Sequence, residues 1–260
     1  MGKAYPSRWL EIKILKARSD EDAKLLLGCI LYHKRQYETA AEQFESCCHS
    51  YIARRNLAVA YYSHLGRCEE AKEIMLSLVA ERPDDAQIFY ETVVLLNKMG
   101  CPASEKIDLI LSHNGTREDI IVELAKAYNQ NAQYDEAIKT LMSRNFVPCE
   151  GGEHAIADQY MYAYLCKGIH AMKAGNYEEA LQYLACGKIL PQSLGAGIWN
   201  HCKYIPLRYR EALCLEALGR KAEADEIYRY IANTEIEYFS NMHLPELPYY
   251  QALSYDRLGE

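Results

Sequence analysis

LGCILYHKRQYETAAEQF, residues 27–44, is the stretch that decides the fold. Gly28 sits inside one apolar helix, Tyr37 follows a short polar break, and a second helix carries Ala40 and Phe44 four residues apart. One helical turn separates that last pair, so both side chains lie on one face. Neither Gly28 nor Ala40 has a side chain bulky enough to hold two helix backbones apart, which marks them as the crossing point. Leu27, Leu31, Tyr37 and Phe44 are the apolar groups that seal such a crossing. The stretch reads as a hairpin of two helices.

Weaker copies follow to the end of the chain. Aligned on the turn, they fall at Arg35, Gly66, Gly100, Ala132, Gly175, Gly219 and Gly259, at intervals of 31, 34, 32, 43, 44 and 40 residues. Five residues after most turns stands an alanine (Ala40, Ala71, Ala137, Ala180, Ala224). Four further on stands a larger apolar residue (Phe44, Met75, Leu141, Leu184, Tyr228). The unit at 86–112 has Glu105 where the alanine belongs. It keeps the spacing, and Gly100-Cys101-Pro102 is a good helix break.

These units resemble tetratricopeptide repeats, whose period is 34 with a small residue, a Tyr and an Ala in these places. The resemblance implies an all-α fold, a right-handed α-solenoid of antiparallel helix pairs forming a single domain over 1–260. The expected elements are a cap helix at 7–18, pairs at 21–48, 54–82, 86–112, 118–143, 158–189 and 205–232, and an incomplete last unit at 247–260. Trp9, Ile12 and Leu15 fall on one side of the cap helix, where they would cover the first pair, since each repeat of a solenoid buries only one side against its neighbour. Three longer connections (NFVPCEGGEHAIAD, LPQSLGAGIWNHCKYIP and NTEIEYFSNMHLPELP) have the Gly, Pro and aromatic character of structured loops. The closing YYQALSYDRLGE reads as the first helix of a pair, either a terminal cap or the point where a longer protein continues.

A narrower resemblance rests on YPSRWLEIKILKARSDEDAKLLLGCILYHKRQYETA, RRNLAVAYY, SRNFVPCEGGEH and LPQSLGAGIW. These look like the helical C-terminal half of a group of bacterial proteins in which such repeats follow a β-rich domain of unknown function related to sugar-processing enzymes. The family's loop carries Trp and Gly where this chain has Cys149 and His154. What the resemblance implies is a bacterial protein with a link to carbohydrate.

Composition narrows the function classes. With 50% apolar and 25% charged residues the 260-residue chain is an ordinary folding sequence. A net charge of −7 argues against a general nucleic-acid binder. No apolar run approaches the roughly 20 residues that span a bilayer, so no membrane partner is expected. The ten cysteines form no C-x-x-C, and Cys29, Cys68, Cys166, Cys186 and Cys214 fall inside helical patterns as small packing residues. Undirected cysteines point to a reducing, cytoplasmic compartment. Tyrosine, with 22 copies, is the compositional outlier; it fills gaps between helices while its hydroxyl reaches a polar partner.

No catalytic, cofactor-binding or metal-binding residues are expected. Cys47-Cys48-His49 and His201-Cys202 are neighbours, and neighbours on a helix point about 100° apart, whereas zinc motifs separate their ligands. Glu150, Glu153 and His154 in a Gly-rich loop read best as a turn capping the next helix. Gly151-Gly152 and the Leu194–Gly197 run lack the strand and the Lys-Ser/Thr of a phosphate loop. What remains is surface. The first helix of each pair lines the concave side of such a superhelix. The inward positions include Tyr32, His33, Asn56, His64, Asn97, Lys98, Lys126, Asn129, Gln130, Tyr162 and Met172. Leu25 and Cys29 replace the Lys/Asn pattern by which some repeats of this class clamp a C-terminal carboxylate. The function expected is therefore a non-enzymatic scaffold holding a protein or peptide in its groove. The alternative is an accessory domain of a larger carbohydrate-active enzyme, packed through loops 145–155 and 191–204, with Trp199 beside Glu150 or Glu153 marking a sugar site.

Overall fold

A computed structural model describes residues 9–113, 117–147, 153–195, 204–235 and 246–260. Among these residues the secondary structure is helix and turn, with no strand. The chain divides into two compact units, Met1–Arg117 and Glu118–Glu260.

The first unit holds α1 (Trp9–Lys16), then the pairs α2 (Glu21–His33) with α3 (Tyr37–Glu45), α4 (Tyr51–Ala60) with α5 (Cys68–Glu81), and α6 (Ala86–Lys98) with α7 (Ala103–Ser112). Short polar side chains start three of these helices by accepting from otherwise unsatisfied amides. Asp20 caps α2 through Ala23 N at 3.1 Å, Ser50 caps α4 through Ala53 N at 3.3 Å, and Asp85 caps α6 through Ile88 N at 3.2 Å. The aligned turn residues all close the hairpins in the left-handed region, from Ala132 at φ 57° to Gly175 at φ 80°. A side chain is strained there, which is why glycine recurs and why Arg35 and Ala132 are the costlier versions.

The crossing inferred from residues 27–44 is present. A β-carbon on Gly28 would lie 2.5 Å from Cε1 of Phe44, whose ring is buried in the core of the first unit with Leu27, Leu31 and Leu57. The same pairing recurs with Ala125 and Ala137, Gly168 and Ala180, and Ala212 and Ala224, all buried and twelve residues apart. In the second pair the buried small residue is Ala58, thirteen residues before Ala71. The extra residue is housed in a π turn, Tyr61–Leu65, that continues α4. A π turn absorbs one insertion without breaking the helix, so both ends of α4 keep their apolar faces on α5.

The unit that lacks the alanine makes a charged contact at that position, while Ile107 and Ile110 of α7 are buried. Glu105 accepts from Lys72 of α5 at 2.7 Å, and the buried Lys106 donates to Asn97 Oδ1 at 2.6 Å. At the other end of the unit Ile12 and Leu15 of α1 pack on the core as expected, whereas Trp9 stands 75% exposed with the Lys13 ammonium over its ring.

The second unit holds α8 (Glu118–Gln130) with α9 (Tyr134–Met142), α10 (Glu153–Lys173) with α11 (Tyr177–Gly187), α12 (Ile205–Ala217) with α13 (Lys221–Ala232), and α14 (Leu247–Leu258). Glu153 and His154 form the first turn of α10, which therefore starts five residues before the expected 158. The helix α14 packs on α13 and α12, with Gln251 and Tyr255 donating to the carbonyls of Thr234 and Ala232.

Two of the long connections meet over this unit. Phe146 N donates to Ser193 O at 2.8 Å, and Leu194, in a 3-10 turn, is fully buried against Val122, Leu141 and Tyr160. Leu194→Ala is expected to cost about 2–5 kcal/mol, because it removes a buried branched side chain and leaves a cavity. Urea unfolding would read this as a lowered midpoint at unchanged slope. A cost within about 0.5 kcal/mol, as for a surface site, would refute that packing role.

Candidate functional site

The eleven groove positions divide between the units, six in the first and five in the second, and their side chains meet different fates.

In the first unit, Tyr32 and His64 come together at the hairpin ends. The Tyr32 hydroxyl and His64 Nε2 are 3.0 Å apart, and the imidazole stacks on Tyr37 with centroids 3.6 Å apart and planes 6° from parallel. Burial, and then the neighbouring Tyr37, push the Tyr32 hydroxyl above its usual pKa. His33 is exposed. Asn56 turns toward α2 and donates to Cys29 Sγ at 3.6 Å, while Asn97 accepts from Lys106. These two amides tie helices to one another.

Lys98 faces open space. It lies at the rim of a concavity of about 270 Å3 between α4 and α6, the first helices of two successive pairs. Val59, Tyr62, Val94 and Leu95 make its walls, and Met75 of α5 contributes from the neighbouring helix. Val59 is 41% exposed. Across one side runs a bidentate ion pair from Arg55 to Glu91. Burial alone would push the Glu91 carboxyl up, but Arg55 and the Gln87 amide, at 2.7 Å, together hold it below the ordinary carboxylate range. The walls are apolar and the rim is polar, the usual make-up of a small binding site. Counting back from Gly66 misses Arg55 and Val59, because the π turn displaces everything before it by one residue. The thirteen-residue spacing from Ala58 to Ala71 is the signal that could have found them.

In the second unit the expected positions are largely engaged. Lys126 pairs with Glu123 at 2.7 Å, and Glu123 is itself buried. Asn129 is buried, its Nδ2 donating to the carbonyl and side chain of Gln159. Met172 packs on the core beside Ala171, Ala180 and Leu184. Gln130 is exposed, and Tyr162, 48% exposed, lies beside the Cys166 thiol, which raises its hydroxyl pKa. A second concavity, of about 480 Å3, opens among α9, α10 and α11. Its one lysine is engaged: Lys167 pairs with Asp135 and lies 4.4 Å over the Tyr183 ring, whose hydroxyl donates to Glu179 at 2.9 Å.

The other candidates from the sequence separate cleanly. Glu150, Gly151, Gly152, Trp199, His201 and Cys202 lie outside the described residues. The eight described cysteines form no disulfide among the described residues. Cys47 is buried, whereas Cys48 and His49 fall in the turn after α3 rather than on a helix, and their donor atoms lie within 4.8 Å of the Glu21 carboxylate. Among the described residues, no helix is long and apolar enough to cross a membrane.

Residues 53–85, covering α4, its π turn and α5, match the sequence profile of the tetratricopeptide repeat. Over 96% of its length the chain superposes on a chain of the structure of Naa15/Naa10 bound to HypK-THB, with a TM-score of 0.51 and 20% identity. It spans 36% of that longer chain. It is also similar to a tetratricopeptide repeat protein from Parabacteroides merdae, at TM-score 0.43 and 15% identity over 94% of this chain and 90% of that one. The apo form of the quorum sensor NprR from B. thuringiensis aligns at TM-score 0.44 and 17% identity, over 94% and 73%.

Proposed function

For a chain that carries a tetratricopeptide repeat within a succession of helical pairs, we propose a non-enzymatic scaffold that holds a protein partner through an extended peptide segment. The reading rests on one observation, the concavity between α4 and α6. It offers an apolar side chain of valine or leucine size a place to be buried, while Lys98 at the rim offers an acidic neighbour a charge. First helices of successive repeats present such grooves, and a few anchors in them carry most of the binding energy. The compartment proposed is cytoplasmic, where thiols stay reduced.

A display library of random peptides, selected on the whole chain, tests this. The selected peptides are expected to share an apolar anchor next to an acidic residue. Val59→Glu, a change at a surface-exposed wall position, is expected to weaken them at least about tenfold, the effect of losing an anchor worth more than 1 kcal/mol. Circular dichroism of the variant should match that of the parent. Peptides that bind Val59→Glu as tightly, or a chain that enriches no peptide yet captures glycans, would overturn the reading.

A further inference from the structure

The turn between α3 and α4 reads SCCHS, residues 46–50, and its two anchors are internal. Cys47, fully buried, directs its thiol to the carbonyls of Gln43 at 3.2 Å and Glu21 at 3.5 Å. Ser50 caps α4. The contact to the Glu21 carbonyl pins the turn against the first residue of α2, twenty-six positions earlier in the chain. Cys48 and His49 are left outside, both exposed, with the Glu21 side chain beside them.

From this arrangement we propose that Glu21, Cys48 and His49 bind a divalent zinc-class ion and clip the start of the first helical pair to the start of the second. A thiolate, an imidazole nitrogen and a carboxylate oxygen are the donor set such ions select, in contrast to the all-oxygen sites of calcium and magnesium. Their donor atoms already lie within 4.8 Å of one another. Tetrahedral bonds of about 2.0–2.3 Å place donors about 3.3–3.8 Å apart, so closure asks for a shift on the order of 1 Å. Rotation of the half-buried Glu21 and the exposed His49 side chains supplies it. Binding converts the Cys48 thiol to a thiolate and releases its proton to solvent, while a water fills the fourth position. Neighbouring residues can serve together here because they sit in a turn, where the 100° helical separation does not apply. The clip is independent of the groove between α4 and α6.

Cobalt(II) titration of the chelator-treated whole chain is the test. Sulfur-to-cobalt charge-transfer absorption should appear at one ion per chain, with zinc displacing it. Cys48→Ser should abolish that absorption while Cys186→Ser, an exposed thiol elsewhere, leaves it intact. Glu21→Gln and His49→Gln should each weaken zinc at least as much as the loss of an outer-shell partner does, roughly 10–100-fold. Zinc should also slow amide exchange in residues 18–24 and 46–50 of the parent but not of Cys48→Ser. Absence of the band, its survival in Cys48→Ser, or unchanged affinity in both the Glu21 and His49 variants would each overturn the proposal. Cys48 and His49 are exposed and Glu21 is half-buried, and circular dichroism of each variant should match that of the parent.

Discussion

Phe44→Ala is expected to cost about 3–5 kcal/mol, the range for deleting a buried aromatic ring. The ring fills the space that Gly28 leaves on α2, and it also touches the core that joins α3 to α4, so one deletion opens two helix contacts. The loss should read as a lowered urea midpoint and as faster amide exchange in α2, α3 and α4. Its converse is Gly28→Ala, whose new methyl would meet the ring at 2.5 Å. Overpacking of that kind costs about 1–3 kcal/mol. Combined with Phe44→Leu, the same methyl gains room, so the two changes should be less harmful together than their sum. Additive costs would mean that the two residues do not share one space.

Raising the pH from about 10 to 12 is expected to unfold the chain. Burial, followed by the Glu45 carboxylate that accepts its hydroxyl proton, pushes Tyr61 up to about 12. Burial likewise pushes Tyr160 and Tyr228 up, with the Tyr164 hydroxyl and the Glu216 carboxylate adding to it. The sign follows from linkage. A tyrosine with a raised folded-state pKa contributes stability that is complete below its unfolded value of about 10 and is lost as pH climbs toward the folded value. Each buried tyrosine of this kind withdraws on the order of 1–2 kcal/mol, a sizeable part of the 5–15 kcal/mol that holds a typical domain, from the unit that contains it. Tyrosinate absorbance and helical ellipticity, followed together, should change in parallel above pH 10. Tyr61→Phe should make the change in its own unit shallower by about one proton. Titration of all 22 tyrosines near their ordinary pKa with helix content unchanged would contradict this account.

Much of the fold is legible because its signals are local. The seven turn residues picked from spacing alone all take positive φ, and the alanine and large apolar residue after five of them are buried. Gly187 carried no such signal. It lies between α10 and α12, where an added β-carbon would meet Leu207 at 2.5 Å and Tyr164 Cβ at 3.0 Å, and only the packing of three helices reveals it. What each counted first-helix side chain touches was not legible in the sequence. Asn56, Asn97 and Asn129 are polar residues on first helices, as counted, yet each spends its amide on a neighbouring side chain or backbone group of the protein itself.

By itself, then, the sequence determined the helices, their pairing and their turns, because small and large residues at constant spacing act through contacts between neighbouring segments. The tertiary structure alone decided which side chains face outward and which distant ones meet. A single inserted residue turns a helix face by about 100° unless a π turn absorbs it, and the meeting of Glu21 with Cys48 and His49 depends on where a buried thiol pins a loop.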